Sequence, residues 1–150
     1  MTLDNLVGRG LEKAAADREE LSRYLERIAR KLADSRQGSI SLDSRFDLAF
    51  EALLQIALAA LRANGYRTTS AAGHQQLAIQ ALPKSLGLDA QRARALEEFR
   101  KKRSAGLYLA AFEPSAAEVE ALVRAVERLQ KDLAAWLKAR RPELAPKAGK

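Results

Sequence analysis

The chain has no cysteine and a single histidine. The first absence removes disulfide scaffolds, zinc fingers, iron–sulfur clusters and thiol nucleophiles together. The second removes most multi-histidine metal sites, so neither a metal nor a cofactor is expected. No apolar run reaches the roughly 18 residues of a membrane span. The opening Met1-Thr2-Leu3-Asp4-Asn5 lacks the basic-then-apolar layout of a signal peptide. A cytoplasmic protein with no membrane association is the expectation. Missing too are a Gly-rich phosphate loop, a Ser–His–Asp constellation and a helical His-Glu-x-x-His site. There is no β-branched run and no alternating apolar and polar segment, so no strands are expected.

What is present is helix-forming. Glycine and proline are scarce between the ends, and long stretches are rich in Ala, Leu, Glu, Arg and Lys. With 150 residues, 47% of them hydrophobic and 30% charged, the chain is one globular domain's worth. At this size folding buries about 70% of the unfolded surface. A first helix is predicted from about Leu3 to Leu32. Val7, Ala14, Leu21 and Ile28 recur every seven residues there, with Leu11, Leu25 and Leu32 four further on. Glu19–Arg23 and Glu26–Arg30 form i,i+4 pairs in the favourable order. A second helix begins near Ser41 to Ser44 and stops at Asn64-Gly65. From Phe46 to Leu61 it is apolar on nearly every side, as suits a helix central in a bundle or packed on both core and partner.

A short third helix fits about Ser70 to Leu82 before Pro83, and a fourth follows the N-cap Asp89 to about Ala111. Ser115-Ala116-Ala117-Glu118 is a capping box that opens a fifth. Val119, Leu122, Val126, Leu129, Leu133 and Trp136 make its seam, in steps of three and four. Four long helices and a short one, with short loops, predict an all-α fold: an up-and-down four-helix bundle with one additional short helix. It would occupy residues 1–141, with a basic disordered tail over 142–150. The all-round apolar second helix, only partly coverable by such a bundle, predicts a homodimer.

The net charge is +7, and it is concentrated. Arg92 to Arg103 carries six basic and two acidic residues, and Lys138 to Lys150 carries five and one. A focused positive patch points to an anionic partner, although a solvated helix face would have the same composition. Arg103 stands where the apolar period of the fourth helix (Ala93, Leu96, Phe99, Leu107, Ala110) asks for a core residue. A buried guanidinium is expensive unless paired, so Arg103 meets a carboxylate, faces a partner subunit, points into a ligand groove or snorkels at the bundle's edge. Arg100, Ser104 and Tyr108, spaced i, i+4, i+8, offer a cation, a hydroxyl and a phenol along one slowly drifting stripe. Arg103 and Tyr108 are five apart, about 140° around the axis. They share a site only if Gly106 distorts the helix or a second subunit supplies one of them. His74 has no acidic neighbour in sequence to orient it and reads as a surface or loop-anchoring residue.

Four segments in this order carry a resemblance: Ser44-Arg45-Phe46-Asp47-Leu48-Ala49-Phe50-Glu51-Ala52, Asn64-Gly65-Tyr66-Arg67, Gly73-His74-Gln75, and Arg100-Lys101-Lys102-Arg103-Ser104-Ala105-Gly106-Leu107-Tyr108. Together they resemble the HEPN superfamily, from about Ser41 to Tyr108. The resemblance implies a helical bundle that is usually dimeric. In active members it implies a metal-independent endoribonuclease of toxin–antitoxin and phage-defence systems. Such members use an arginine followed at short spacing by a histidine, and many stand beside a small nucleotidyltransferase antitoxin. Other members have lost the motif and bind nucleotides or proteins. Arg103 matches the arginine, and Tyr108 stands where the histidine belongs. A tyrosine titrates near 10, a poor general base at neutral pH, but it donates a hydrogen bond or acts as an acid. The resemblance therefore implies catalytic roles for Arg103 and Tyr108, and RNA or nucleotide binding by Arg100, Lys101, Lys102 and Ser104. The other reading is a non-catalytic helical module that partners a nucleotidyltransferase or another protein.

Overall fold

The structure, a computed structural model, describes residues 2–69 and 73–146. Among these residues a 3-10 turn (Leu3–Leu6) is followed by β1 (Leu11–Lys13), α1 (Arg18–Ser35), α2 (Leu42–Ala63), β2 (Tyr66–Thr68), α3 (His74–Gln80), α4 (Leu82–Ser85), α5 (Ala90–Leu109) and α6 (Ala116–Arg140). The chain is predominantly helical, as expected.

The N-terminal third departs from expectation. The helix predicted from Leu3 begins only at Arg18, where the Asp17 carboxylate accepts from the Glu20 N–H at 2.9 Å. Gly8 and Gly10 adopt φ of 82° and 114°, and this left-handed backbone breaks any helix upstream. The heptad phase of Val7 is coincidental, and its side chain is 41% exposed. Two short strands also exist where none were expected. β1 and β2 pair antiparallel, with Leu11 opposite Thr68, Glu12 opposite Arg67 and Lys13 opposite Tyr66. Three residues per strand leave too little alternation to be seen in sequence.

The remaining boundaries follow local chemistry. Ser41 caps α2, and the Asn64 side-chain amide closes it by donating to the carbonyls of Ala60 (2.8 Å) and Ser85 (3.0 Å). Asp89 caps α5, and both bonds of the Ser115–Glu118 capping box form. The predicted third helix splits at Ala81 into α3 and α4, with Pro83 in the first turn of α4, where its missing N–H is harmless. The start predicted at Ser70 lies outside the described residues.

α2 is the centre of the core. Alanines 49, 52, 57, 59, 60 and 63 are fully buried, and these small side chains let neighbours approach its axis. α1 and α6 pack along it most extensively, and α3, α5 and β2 cover other sectors. One chain thus satisfies the all-round apolar surface from which a second copy was inferred. The α6 seam runs Val119, Leu122, Val126, Leu129, Leu133 as expected, but its next step is the buried Leu137 and not Trp136. The start of the expected tail is also anchored. Leu144 is buried, and Arg141 Nη1 donates to the Ala63 carbonyl at 2.6 Å. Residues 147–150 lie outside the described residues.

Arg62 ties the N-terminal segment to the helices. It is 9% exposed. Its Nε and Nη2 donate to the two Glu20 carboxylate oxygens at 2.6 and 3.0 Å. Nη1 donates to the carbonyls of Ala14 (2.7 Å) and Tyr66 (3.2 Å), and Nη2 also to that of Ala15 (2.9 Å). All five guanidinium protons are thereby used, which is what keeps a buried arginine affordable.

Candidate functional site

α5 begins in the core and ends outside it. Leu96 is its only fully buried residue, Ala93 and Phe99 are half-buried, and Leu107, Tyr108 and Leu109 are 57%, 78% and 73% exposed. The apolar stripe read from the sequence is used only along its first half.

Arg103 sits at the turning point. Its guanidinium lies over the Phe50 ring, 5.2 Å from the centroid, and Nε is 3.7 Å from the Asp47 carboxylate. Two of the alternatives weighed for it are met together: a carboxylate partner and a groove. The groove, of about 290 Å³, lies between the start of α2 and the end of α5. Phe46, Leu107 and Phe112 give it apolar walls, Asp43, Asp47 and Glu113 line it with acid, and Arg103 is its cation. The Arg103 Nε–H is buried with no hydrogen-bond acceptor among the described residues. Desolvation raises the Asp47 pKa. Arg103 opposes this shift, while Asp43 and Glu51, one turn either side on α2, add to it.

Tyr108 does not join Arg103. The helix continues through Gly106 without distortion, so the five-residue spacing keeps its angle and Tyr108 faces solvent. Gly106 has a different reason. After Ala110, in left-handed backbone at φ 51°, the chain folds back over the helix end, and Ala111 N–H donates to the Ala105 carbonyl at 3.1 Å. A Cβ on Gly106 would meet the Phe112 carbonyl oxygen at 3.2 Å. The glycine admits that return, and the return places Phe112 5.2 Å from Phe46, edge-on, as a wall of the groove.

The basic stretch is neutralised in place. Arg100 donates to both oxygens of Glu97 at 2.5 and 3.1 Å, and holds that carboxyl below the usual glutamate range. Lys101 is 3.6 Å from Glu98, Lys102 is 3.1 Å from Glu118, and Arg92 is 2.6 Å from Asp132. Ser104 is half-buried beside them. Each cation of the expected patch except Arg94 has an acidic partner. A window count of charge could not see this, because three of the partners lie on α2 and α6.

Sorting charge by helix face instead of by window exposes another set. Arg124, Arg128, Lys131 and Lys138 fall within about 80° of arc on α6. All four are exposed, and none forms an ion pair among the described residues. His74 opens α3 as an exposed residue. No group of acidic or histidine side chains among the described residues is placed to hold a metal, and no described helix is long and apolar enough to cross a membrane. Compared with family models, curated proteins and solved structures, the chain matches none.

Proposed function

We propose that this chain is a HEPN-like helical interaction module that performs no chemistry of its own, and that it docks a protein through the end of α5. In this reading α1, α2, α5 and α6 are the four members of an up-and-down bundle, and α3 with α4 is the additional short element. The carrying observation is the unpaired apolar cluster Leu107, Tyr108 and Leu109, beside a groove whose walls are Phe46 and Phe112. Contiguous exposed apolar surface rimmed by charge marks interaction sites. The preferred occupant is a second copy of the chain, and a small nucleotidyltransferase is the alternative. Light scattering tests this: the wild type should run at twice the 16.5 kDa chain mass, and Tyr108→Arg with Leu109→Lys should return it to a monomer. A wild type that is monomeric alone and in the presence of a nucleotidyltransferase encoded beside it refutes the reading.

A second reading is favoured by Arg103, whose Nε–H lacks an acceptor at the groove. Here the chain is an RNA- or nucleotide-binding subunit of a toxin–antitoxin or phage-defence pair, a metal-independent ribonuclease with a variant Arg-x4-Tyr motif. The cation would stabilise developing phosphate charge, and Tyr108 would have to come from a second copy. Arg103→Ala should then abolish RNA cleavage in the presence of a chelator without lowering the melting temperature. RNA left intact by the wild type refutes it.

A further inference from the structure

A second concavity lies away from the Arg103 groove, between α1 and α2. It has a volume of about 420 Å³, within the range of small-ligand sites. Arg23, Tyr24 and Arg27 form the α1 wall, Gln55 and Leu58 the α2 wall, and Glu20 one end. Arg23 and Arg27 are one turn apart on the same face, so their guanidinium groups converge on one volume.

The charge balance decides what such a hollow takes. Glu20 is its only acid, and both Glu20 oxygens are held by Arg62. That pair is internally neutral, so the hollow is lined by no unpaired acid. Arg27 forms no ion pair among the described residues. Arg23 meets only Glu19, at 3.5 Å with both side chains largely in solvent, a contact readily exchanged for a better acceptor. Burial and the Glu20 charge hold the Tyr24 hydroxyl above its ordinary pKa, so it remains a proton donor at neutral pH. The Gln55 amide adds a further donor. Two cations, a phenol and an amide thus line one space with no free acceptor of full charge, in contrast to α5, where almost every cation is already paired.

We infer that the hollow between α1 and α2 binds a phosphomonoester, with Arg23 and Arg27 on the phosphate and the Tyr24 ring and Leu58 against an apolar or flat body. A bare phosphate would leave much of the volume empty, and those two side chains give the body its wall. Paired guanidinium groups recognise phosphate through charge-assisted, often bidentate hydrogen bonds. The inference does not depend on the proposed function, since no residue of the α5 groove contributes.

Amide NMR titration of the full chain with phenyl phosphate and with inorganic phosphate tests it. Saturable shifts are expected at Tyr24, Arg27 and Gln55, with phenyl phosphate binding roughly tenfold tighter than inorganic phosphate because it alone reaches Leu58. Arg23→Gln with Arg27→Gln should weaken phenyl phosphate at least about tenfold. Exposed Lys131→Gln on α6 should leave it unchanged. Absent or non-saturating shifts, shifts centred on α5 or α6, or undiminished affinity in the double variant would each overturn the inference. The shift map in the wild type decides the matter even if the double variant folds poorly.

Discussion

Replacing Arg62 by methionine keeps the length and apolar stem of the side chain and removes the guanidinium. Five hydrogen bonds disappear, and the Glu20 carboxylate is left without its cation, together with the carbonyls of Ala14, Ala15 and Tyr66. Breaking a buried pair from one side costs about 3–5 kcal/mol. Here the Glu20 side chain is 26% exposed, so water recovers part of its solvation and the lower end, about 3 kcal/mol, applies. For a chain of this length that is a fall in melting temperature of roughly 6–12 °C. Arg62→Lys should recover little, because one ammonium cannot serve a carboxylate and three carbonyls spread around a planar fork. Glu20→Gln combined with Arg62→Met should be less damaging than the sum of the two single changes, since the double variant strands no charge. Denaturant unfolding of the four proteins gives the coupling. Hydrogen exchange adds the location: the Ala14 N–H, which donates to Gly65 at 2.9 Å, should lose protection before α2 and α6 do. An Arg62→Met protein within about 1 kcal/mol of wild type, or Arg62→Lys indistinguishable from it, would refute the assignment of Arg62 as the tie.

Gly10→Ala should lower the melting temperature by about 4–8 °C, because φ of 114° is strained for alanine and the new Cβ collides with the Leu77 side chain; an unchanged melt would contradict both. Arg100 depresses the Glu97 pKa in the folded state, so Glu97 contributes stability that is present above its unfolded value, about 4.3, and lost as pH falls through the folded value. Glu97→Gln should therefore be less stable than wild type near neutrality and converge with it in acid, as chemical denaturation across pH would reveal. Tyr108→Phe should shift stability by less than about 0.5 kcal/mol, since the hydroxyl belongs to a side chain that is 78% exposed; a large loss would place a buried partner on that hydroxyl.

Helices whose ends are set by their own residues were legible in the sequence. Ser41, Asp89 and the Ser115–Glu118 box each mark a boundary through a bond spanning three residues, and local spacing carries all of that information. The N-terminal segment was not legible, because the apolar phase of Val7, Ala14 and Leu21 imitates a helix that Gly8 and Gly10 forbid. Those two glycines, two residues apart, were the available signal. At the site, the oddity of Arg103 and the 140° separating it from Tyr108 were both readable from helical geometry. Its partner Asp47 was not, since it arrives from another helix, and the same holds for Lys102 with Glu118 and Arg92 with Asp132. The Arg62–Glu20 pair joins residues 42 positions apart and leaves no trace in periodicity or charge density.

The β1–β2 ribbon has a consequence for the order of events during synthesis. Glu12 and its cross-strand partner Arg67 are separated by 55 positions. At roughly 5–20 residues per second the ribosome needs about 3–11 s to deliver β2 after β1. Throughout that interval β1 has no strand to pair with, and Leu3 and Leu11, both destined for the core, have no core to enter. An unpaired strand edge with apolar side chains is a template for other chains. The segment is short, however, and Gly8 and Gly10 break its extension. Glu12 and Lys13 place opposite charges on its last two positions, which opposes edge-to-edge stacking while the chain waits. Arg62 and Tyr66 lie only four positions apart, so the guanidinium that binds the Ala14 and Ala15 carbonyls and the strand that pairs with β1 emerge almost together.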